Sequence, residues 1–256
     1  MNIHPTAIVH GDAKIDPTVE IGPFAVINSD VEVGPGCKIG AYVFLNHVVM
    51  GENNKIGGHT LIGGDPQMLV WKDTPTKVRI GRNNDIRELV TIHRSKTENS
   101  ETVIGDGNFL LANTHIGHDC IIGNNTIITT FAGLSGHVTV QDGAIIGGMA
   151  GIHQFVRIGE MAMIGGMARI VQDVAPFMLA EGSPADIRNF NVVGLKRKGY
   201  NEKARANIKE AFKILFKSKL SLKSSREKLA EISDESGEMK KILDFVNSTQ
   251  RGLTGV

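Results

Sequence analysis

The chain has 256 residues, which is enough for one large domain or for one large and one small domain. Its 28 Lys and Arg residues almost balance 27 Asp and Glu residues, and the net charge of +1 argues against nucleic acid or an anionic membrane as a partner. Because the sequence has no run of about 18 apolar residues, no signal-like start and only Cys37 and Cys120 as thiols, we expect a cytoplasmic protein without an integral membrane segment.

An aliphatic residue recurs at every sixth position over much of the chain. One series runs from Ile3 to Leu45, and the longest runs without a break from Ile104 to Ile170. Neither the α-helical period of 3.6 nor the strand period of 2 produces this spacing. Gly often follows the aliphatic residue, where a strand must give way to a sharp turn. The pattern predicts a parallel β-helix with three short strands in each coil of about 18 residues.

The repeat is interrupted twice and ends before the C-terminal region. We predict a β-helix over residues 1–174 with loops extruded near 65–76 and 94–102, followed by a helical C-terminal domain over residues 175–256. Apolar residues at helical spacing within residues 201–217 predict one helix, and two more are expected near 221–232 and 236–248.

The C-terminal helices are basic. Residues 177–256 contain 16 Lys and Arg against 10 Asp and Glu, a net charge of +6 on the tail of a nearly neutral chain. Such a run is either a solvated helix face or a docking surface for an acidic protein.

Residues that are 18 positions apart should stack on one edge of the predicted prism. Three neighbouring lines carry histidines: His118, Gly136 and Gln154; Asp119, His137 and Phe155; and Gly117, Ser135 and His153. His115 lies three residues before His118. The predicted fold therefore brings several imidazoles together within a few coils spaced roughly 4.8 Å apart.

This histidine cluster has three interpretations. It is a metal site if two or three imidazoles meet at a point about 2.1 Å from each of them. It is a general-base site if one neutral imidazole has a carboxylate to orient it and an oxyanion donor nearby, as His118, Asp119 and the backbone N–H of Gly136 would provide. It is structural if the histidines are only exposed turn residues. Cys120 is interpreted as a small buried apolar residue.

Five motifs give the sequence a specific resemblance. They are H-I-G-H-D-C at 115–120, G-L-S-G-H-V at 133–138, I-I-G-G-M-A-G-I-H-Q-F at 145–155, V-Q-D-V-A-P-F at 171–177 and G-L-K-R-K-G-Y at 194–200. In this order they resemble the hexapeptide-repeat family of acyl-carrier-protein-dependent UDP-N-acetylglucosamine O-acyltransferases of lipid A biosynthesis, over nearly the whole chain. The resemblance implies a left-handed β-helix, a homotrimer with sites between neighbouring prisms, and no metal or other cofactor.

The resemblance also implies roles for individual residues. His118 matches the general base that accepts the proton of the sugar 3-hydroxyl as this oxygen attacks an acyl thioester, Asp119 matches its orienting carboxylate, and the N–H of Gly136 matches the oxyanion donor. Residues matching the substrate-binding positions are Gln67, His115, His137, His153, Gln154, Asn191, Arg197 and Lys198. Gly166 matches the acyl-chain ruler, and a glycine there favours a long chain of about 14 carbons, with incomplete discrimination because one methylene is worth only about 0.8 kcal/mol.

Some positions depart from the family pattern. Met68 and Val70 replace an acidic residue and a lysine in the first loop, and Val193 replaces a glutamate. The acceptor is therefore either the ordinary 3-hydroxyl sugar, which gives an ester, or a 3-amino analogue, which gives an amide. Competing hypotheses are the later N-acyltransferase of the same pathway, a trimeric zinc hydratase of the γ-carbonic-anhydrase kind, and a purely structural solenoid. The acidic acyl carrier protein would dock on the basic tail, with Lys213, Lys217, Lys219 and Lys223 as candidates.

Overall fold

The hexapeptide repeat forms a stack of short strands in the computed structural model, which describes residues 2–232 and 237–256. Numbered in chain order, the strands within these residues form three sheets. The first sheet contains β1 (Asn2–Ile3), β4 (Glu20–Ile21), β7 (Lys38–Ile39), β10 (Lys55–Ile56), β13 (Asp85–Ile86), β16 (Phe109–Leu110), β19 (Ile127–Ile128), β22 (Ile145–Ile146), β25 (Met163–Ile164), β27 (Met178–Gly182) and β28 (Ala185–Phe190).

The second sheet contains β2 (Ile8–Val9), β5 (Val26–Ile27), β8 (Phe44–Leu45), β11 (Leu61–Gly64), β14 (Thr91–His93), β17 (His115–Ile116), β20 (Gly133–Leu134), β23 (Gly151–Ile152) and β26 (Arg169–Ile170). The third contains β3 (Lys14–Ile15), β6 (Glu32–Val33), β9 (Val48–Met50), β12 (Lys77–Ile80), β15 (Glu101–Ile104), β18 (Ile121–Ile122), β21 (Thr139–Val140) and β24 (Arg157–Ile158). The chain visits the three sheets in turn, so each sheet is one face of a prism.

The aliphatic residues of the repeat point into the prism. Every member of the series from Ile104 to Ile170 is at most 1% exposed. Burying one such side chain stabilises the fold by about 1.5–3 kcal/mol. Ile3 is more exposed, because the first coil has no neighbour beneath it. The period-six pattern therefore predicts the core residue by residue.

The strand register shows where the coils are lengthened. His115 pairs with Gly133, 18 positions later, as in a regular coil. Thr91 pairs with His115 across 24 positions, because residues 94–100 leave the sheets between β14 and β15. Lys55 pairs with Asp85 across 30 positions, because residues 65–76 leave the sheets between β11 and β12. We call residues 65–76 loop 1 and residues 94–100 loop 2.

The corners of the prism follow one backbone rule. Two residues after the inward aliphatic residue, the backbone N–H takes no part in the strand ladder. Proline can therefore occupy this position, as at Pro5, Pro17, Pro23 and Pro35, and at other corners the N–H donates to a side-chain oxygen, as from Arg82 to Asp106. The next residue often has left-handed backbone angles, with φ of +60° at both Asp119 and His137. At the corner of His118 and Asp119, the N–H of the second residue therefore has an acceptor, Oγ1 of Thr102, whereas the N–H of His118 has no backbone acceptor among the described residues.

A hairpin and four helices complete the described part of the chain. β27 extends the first sheet in parallel with β25, and β28 pairs with β27 antiparallel. The helices are α1 (Val192–Arg197), α2 (Glu202–Phe216), α3 (Leu222–Ala230) and α4 (Glu238–Asn247). The last three confirm the predicted helices, although residue 236 of the third prediction lies outside the described residues.

The sequence analysis did not predict the hairpin or α1, because the Gly and Pro residues of this segment resemble those of a connector. The domain boundary at residues 174 and 175 stays a prediction. Among the described residues, no helix is long and apolar enough to cross a membrane.

Candidate active site

His118 and Asp119 form a hydrogen-bonded pair at the corner between the second and third faces. His118 is 8% exposed, and its Nδ1 lies 2.7 Å from Oδ2 of Asp119. An ionised carboxylate can only accept hydrogen bonds, so Nδ1 carries a proton and donates it, and Nε2 of the neutral ring keeps its lone pair. The pair thus has the arrangement of a general base with its orienting carboxylate.

Hydrogen bonds keep Asp119 ionised despite its burial. Burial is the largest single influence and acts to raise the pKa of this carboxyl, but hydrogen bonds from Ser95, His118 and the backbone N–H of Lys96 together lower the pKa below its ordinary value of 3.8. The backbone N–H of Asp119 donates to Oγ1 of Thr102 over 2.9 Å, which fixes the residue itself. The negative charge that orients His118 is therefore built into the fold.

Gly136 lies one coil beyond His118 on the same edge, as the 18-residue spacing predicts. The N–H of the following residue, His137, donates to the carbonyl of His118 over 2.9 Å. Gly136 is buried, and within the described residues its N–H has no backbone acceptor. A free N–H beside a potential base is the arrangement that an oxyanion donor requires.

His137 completes the cluster on this edge. Its ring stacks on Phe155 at 4.6 Å and meets the ring of His118 edge-on at 5.2 Å. Its Nε2 lies 3.7 Å from Oδ2 of Asp119 and has no hydrogen-bond partner within the described residues. Burial lowers the pKa of His137, and the nearby Asp119 charge opposes this effect. The neutral ring is therefore available to a ligand.

A second pair of histidines lies on the second face: His115 is in the same coil as His118, and His93 is in the coil before it. His115 contacts Oγ1 of Thr91 through Nδ1 at 2.9 Å, and its ring lies 5.2 Å from that of His93. Burial, together with His93 and His118, lowers the pKa of His115 to about 4. His93 donates from Nδ1 to the carbonyl of Asp65 over 2.6 Å, and its buried Nε2 has no partner within the described residues. Both rings are therefore neutral near pH 7.

Sequence reasoning did not identify His93 or Ser95 as parts of the site. Because their coil is six residues longer than a regular one, these residues lie 24 positions, instead of 18, before the residues that stack on them. The spacing could have revealed them. If the six additional residues of that coil are subtracted, Thr91 is one regular coil before His115 and Ser95 is one regular coil before Asp119.

An open groove of about 330 Å³ lies on the second face beside His115. Its walls include His115, Ser135, His153 and Arg169. Gln154 follows His153 at the corner, and its carbonyl lies 3.1 Å from Nδ1 of that histidine. The structure thus brings His115 and His153 together in one groove, as the 18-residue spacing predicts.

The other predicted site residues lie elsewhere on this chain. Gln67 is exposed on loop 1, and Arg197 and Lys198 are exposed at the end of α1. Asn191 is buried and caps α1: its Oδ1 accepts from the N–H of Gly194 over 3.0 Å, and its Nδ2 donates to the carbonyl of Met161 over 2.9 Å.

Gly166 follows β25 of the first face and therefore lies on a different corner from His118. A Cβ there would meet only the carbonyl of Gly148, at 3.4 Å. Within the described part of the chain, none of these five residues makes a hydrogen bond or ion pair with His118 or Asp119.

The histidine cluster also has dimensions that suit a metal ion. Ligand atoms of His118, Asp119 and His137 all lie within 4.8 Å of one another. In the observed arrangement, however, both oxygens of Asp119 accept hydrogen bonds, from Ser95, Lys96 and His118. A metal ligated by this carboxylate would have to displace some of these donors. The donor set therefore fits an acid–base pair better than a metal centre.

Comparisons with known proteins define the class and then the family. A model of bacterial transferase hexapeptide repeats matches residues 12–47 and 101–136, so the prism belongs to the hexapeptide-repeat transferases. A model described as domain 2 of UDP-N-acetylglucosamine O-acyltransferase matches residues 173–254.

Two curated relatives extend the match over almost the whole chain. The acyl-(acyl-carrier-protein)–UDP-N-acetylglucosamine O-acyltransferase of Paraburkholderia phytofirmans is 44% identical over 257 residues, covering 98% of each chain. The enzyme of the same name from Thermodesulfovibrio yellowstonii is 44% identical over 253 residues, again covering 98% of each.

Solved structures give the same result. The UDP-N-acetylglucosamine O-acyltransferase of Moraxella catarrhalis superposes with a TM-score of 0.96 at 33% identity, covering 99% of this chain and 100% of that one. This chain belongs to the UDP-N-acetylglucosamine O-acyltransferase family, and its fold is the left-handed β-helix with a helical C-terminal region that the resemblance implied. The comparisons favour this family over a zinc hydratase.

Proposed function

We propose that this protein transfers an (R)-3-hydroxyacyl chain from acyl carrier protein to the 3-position of UDP-N-acetylglucosamine, the first step of lipid A biosynthesis. Relatives that carry this activity in their names are 44% identical to the chain over nearly its full length. The observation that carries the proposal is the His118–Asp119 hydrogen bond, which leaves Nε2 of His118 as a free base beside the free N–H of Gly136.

The proposed reaction uses these two groups in one step. Nε2 of His118 accepts the proton of the sugar 3-hydroxyl while that oxygen attacks the thioester carbonyl, and Asp119 stabilises the imidazolium that forms. The N–H of Gly136 donates to the oxyanion of the tetrahedral intermediate. Collapse of this intermediate forms the ester and expels the carrier thiolate, which takes up the proton held by His118.

Polar groups near the base would bind the sugar. His137 and His93 each have a buried Nε2 without a partner among the described residues, and both rings are kept neutral by burial. Such nitrogens suit hydroxyl and amide groups of a sugar, since binding would satisfy them. We assign His115 and His153, which line the groove, and the neighbouring Gln154 to sugar binding, and we assign Gln67 of loop 1 to the same role.

We further propose a homotrimer with its sites between neighbouring prisms. Gly166 and His118 lie on different corners of one chain, so the acyl-chain ruler near a given His118 would come from another copy. The nucleotide-binding residues Arg197 and Lys198 are exposed and accessible to such a cleft. The buried side chain of Asn191 already caps α1, so this residue would contribute mainly by holding α1 in place.

Acyl carrier protein would bind the basic helical tail, where Lys213 and Lys217 lie on or at the end of α2. A cytoplasmic location is proposed because both cysteines are free and buried, which is consistent with a reducing compartment.

An acyl-transfer assay with two acceptors tests the proposal. Purified protein is given (R)-3-hydroxyacyl carrier protein with either UDP-N-acetylglucosamine or its 3-amino analogue. Loop 1 exposes Met68 and Val70 where the family pattern has charged residues, so both acceptors are needed. An alkali-labile ester from the hydroxyl sugar supports the proposal, and an amide alone moves it to the amino analogue. No transfer to either sugar, together with near-stoichiometric zinc, contradicts it.

A further inference from the structure

Ser95, on loop 2, makes a directed hydrogen bond to the carboxylate of the active-site pair. The residue is fully buried. Its Oγ accepts from the N–H of Thr97 over 3.0 Å, while the carbonyl of Thr97 is 3.3 Å away. Oδ1 of Asp119 is the nearer acceptor, so the single hydroxyl proton points at Asp119. The direction of this hydrogen bond is therefore set by the loop.

The two carboxylate oxygens of Asp119 accept hydrogen bonds from different donors. Oδ1 accepts from Ser95, whereas Oδ2 accepts from Nδ1 of His118 and, at 3.2 Å, from the N–H of Lys96. The side chain of Asp119 is only 6% exposed, so water does not readily replace a lost donor. Without the Ser95 hydroxyl, Oδ1 would lose its buried donor, and the carboxylate would be held less firmly by the remaining hydrogen bonds from His118, the N–H of Lys96 and the side chain of Thr97.

Loop 2 is held rigidly enough for this task. The guanidinium of Arg94 is 3% exposed and bonds to Asp65 at 2.9 Å and Asp73 at 2.7 Å. It also donates to the carbonyl of Thr74 and lies 4.8 Å from the ring centre of Trp71. Arg94 thus ties loop 2 to loop 1 immediately beside Ser95, which is the kind of support that fixes a group behind a reacting residue.

We propose that Ser95 is a positioning residue that acts through Asp119 to hold the ring of His118 in its reactive orientation. It lies behind the carboxylate and has no contact with substrate. This inference rests on the proposed function, since it assigns Ser95 a part in the acyl transfer that His118 performs. Thr102 offers a matched control, because it is equally buried and bonds to the same Asp119, but to its backbone N–H and not to its carboxylate.

The test compares Ser95→Ala, Ser95→Cys and Thr102→Val in the full-length protein. Losing a hydrogen bond to a charged group lowers kcat of Ser95→Ala by roughly 10- to 100-fold with KM for both substrates nearly unchanged. Ser95→Cys keeps the volume with a weaker donor, so its kcat lies between those of Ser95→Ala and the unaltered protein. In Thr102→Val the melting temperature falls while kcat stays closer to that of the unaltered protein.

A spectroscopic readout separates this inference from the proposed function. In protein labelled with 15N at histidine, the Nδ1–H of His118 should give a downfield proton resonance, which shifts or disappears in Ser95→Ala and stays in Thr102→Val. This result is expected even if neither sugar is acylated, an outcome that would overturn only the proposed function. An unchanged resonance in folded Ser95→Ala overturns the positioning role, as does a higher KM with unchanged kcat, which would place Ser95 against the substrate.

Discussion

Gly136 lies directly against the imidazole of His118, so that a methyl group on Gly136 would come within 2.6 Å of Nε2. Because Gly136 has no side chain, it leaves room for the His118 ring and places its own backbone N–H beside that ring. Gly136→Ala should therefore displace the ring or the N–H and lower kcat by at least about 100-fold, the scale of one oxyanion donor. Steady-state acyl transfer measures the loss.

Gly11→Ala is the control for this substitution. Its added methyl group would meet nothing within 4 Å, so activity and melting temperature should stay unchanged. If Gly136→Ala retained full activity, the close packing of Gly136 against the His118 ring would not be required for the reaction.

The neutral state of His115 predicts how stability depends on pH. Its pKa is about 4 in the folded protein and 6.5 when unperturbed. The unfolded chain therefore binds more protons between these values, and stability should decrease as the pH falls from 6.5 toward 4. His93 contributes with the same sign, because burial lowers its pKa as well. Melting temperatures measured across this range should fall less steeply for His115→Gln, and identical curves would show that His115 does not contribute.

The contact between the two loops predicts a local change in stability. Arg94→Met removes the bonds to Asp65 and Asp73 while keeping an apolar stem against Trp71, and it should cost about 1–3 kcal/mol. Amide hydrogen exchange should become faster in loops 1 and 2 and stay unchanged elsewhere. Arg82→Met is the matched control: its ion pairs with Glu52 and Asp106 are exposed, so the expected cost is at most about 1 kcal/mol. Equal effects of the two substitutions would refute the special role of Arg94.

The open space at Gly166 predicts a change in chain-length preference. A Cβ at this position makes only ordinary contact, so Gly166→Met should fold normally and project its side chain from the corner. Each methylene of the acyl chain that no longer fits should lower the relative kcat/KM by about fourfold. Competition between acyl carrier proteins of different chain lengths measures this ratio. Gly11→Met should leave it unaltered, and an unchanged ratio in Gly166→Met would remove Gly166 from the acyl site.

Much of the fold follows from the period of the sequence. The series from Ile104 to Ile170 predicts the core, and the 18-residue coil predicts that His118 and Gly136 share an edge. Both predictions are confirmed because identical coils leave little freedom in register.

Positions that depend on irregular coils could not be predicted in this way. Ser95 reaches Asp119 only because the loop 2 coil is six residues longer, and the length of a loop does not fix its path. The Met178–Phe190 hairpin was likewise missed, since its Gly and Pro residues suit a connector equally well.

Single-turnover acyl transfer by His118→Ala tests the account most directly. Hydroxyacyl carrier protein and UDP-N-acetylglucosamine are mixed with excess enzyme, and the ester is quantified over time. Removal of a general base should slow the chemical step by roughly 100- to 10,000-fold, while melting temperature and oligomeric state match the unaltered protein. Turnover at the unaltered rate by the folded His118→Ala protein would contradict the proposed role of the His118–Asp119 pair.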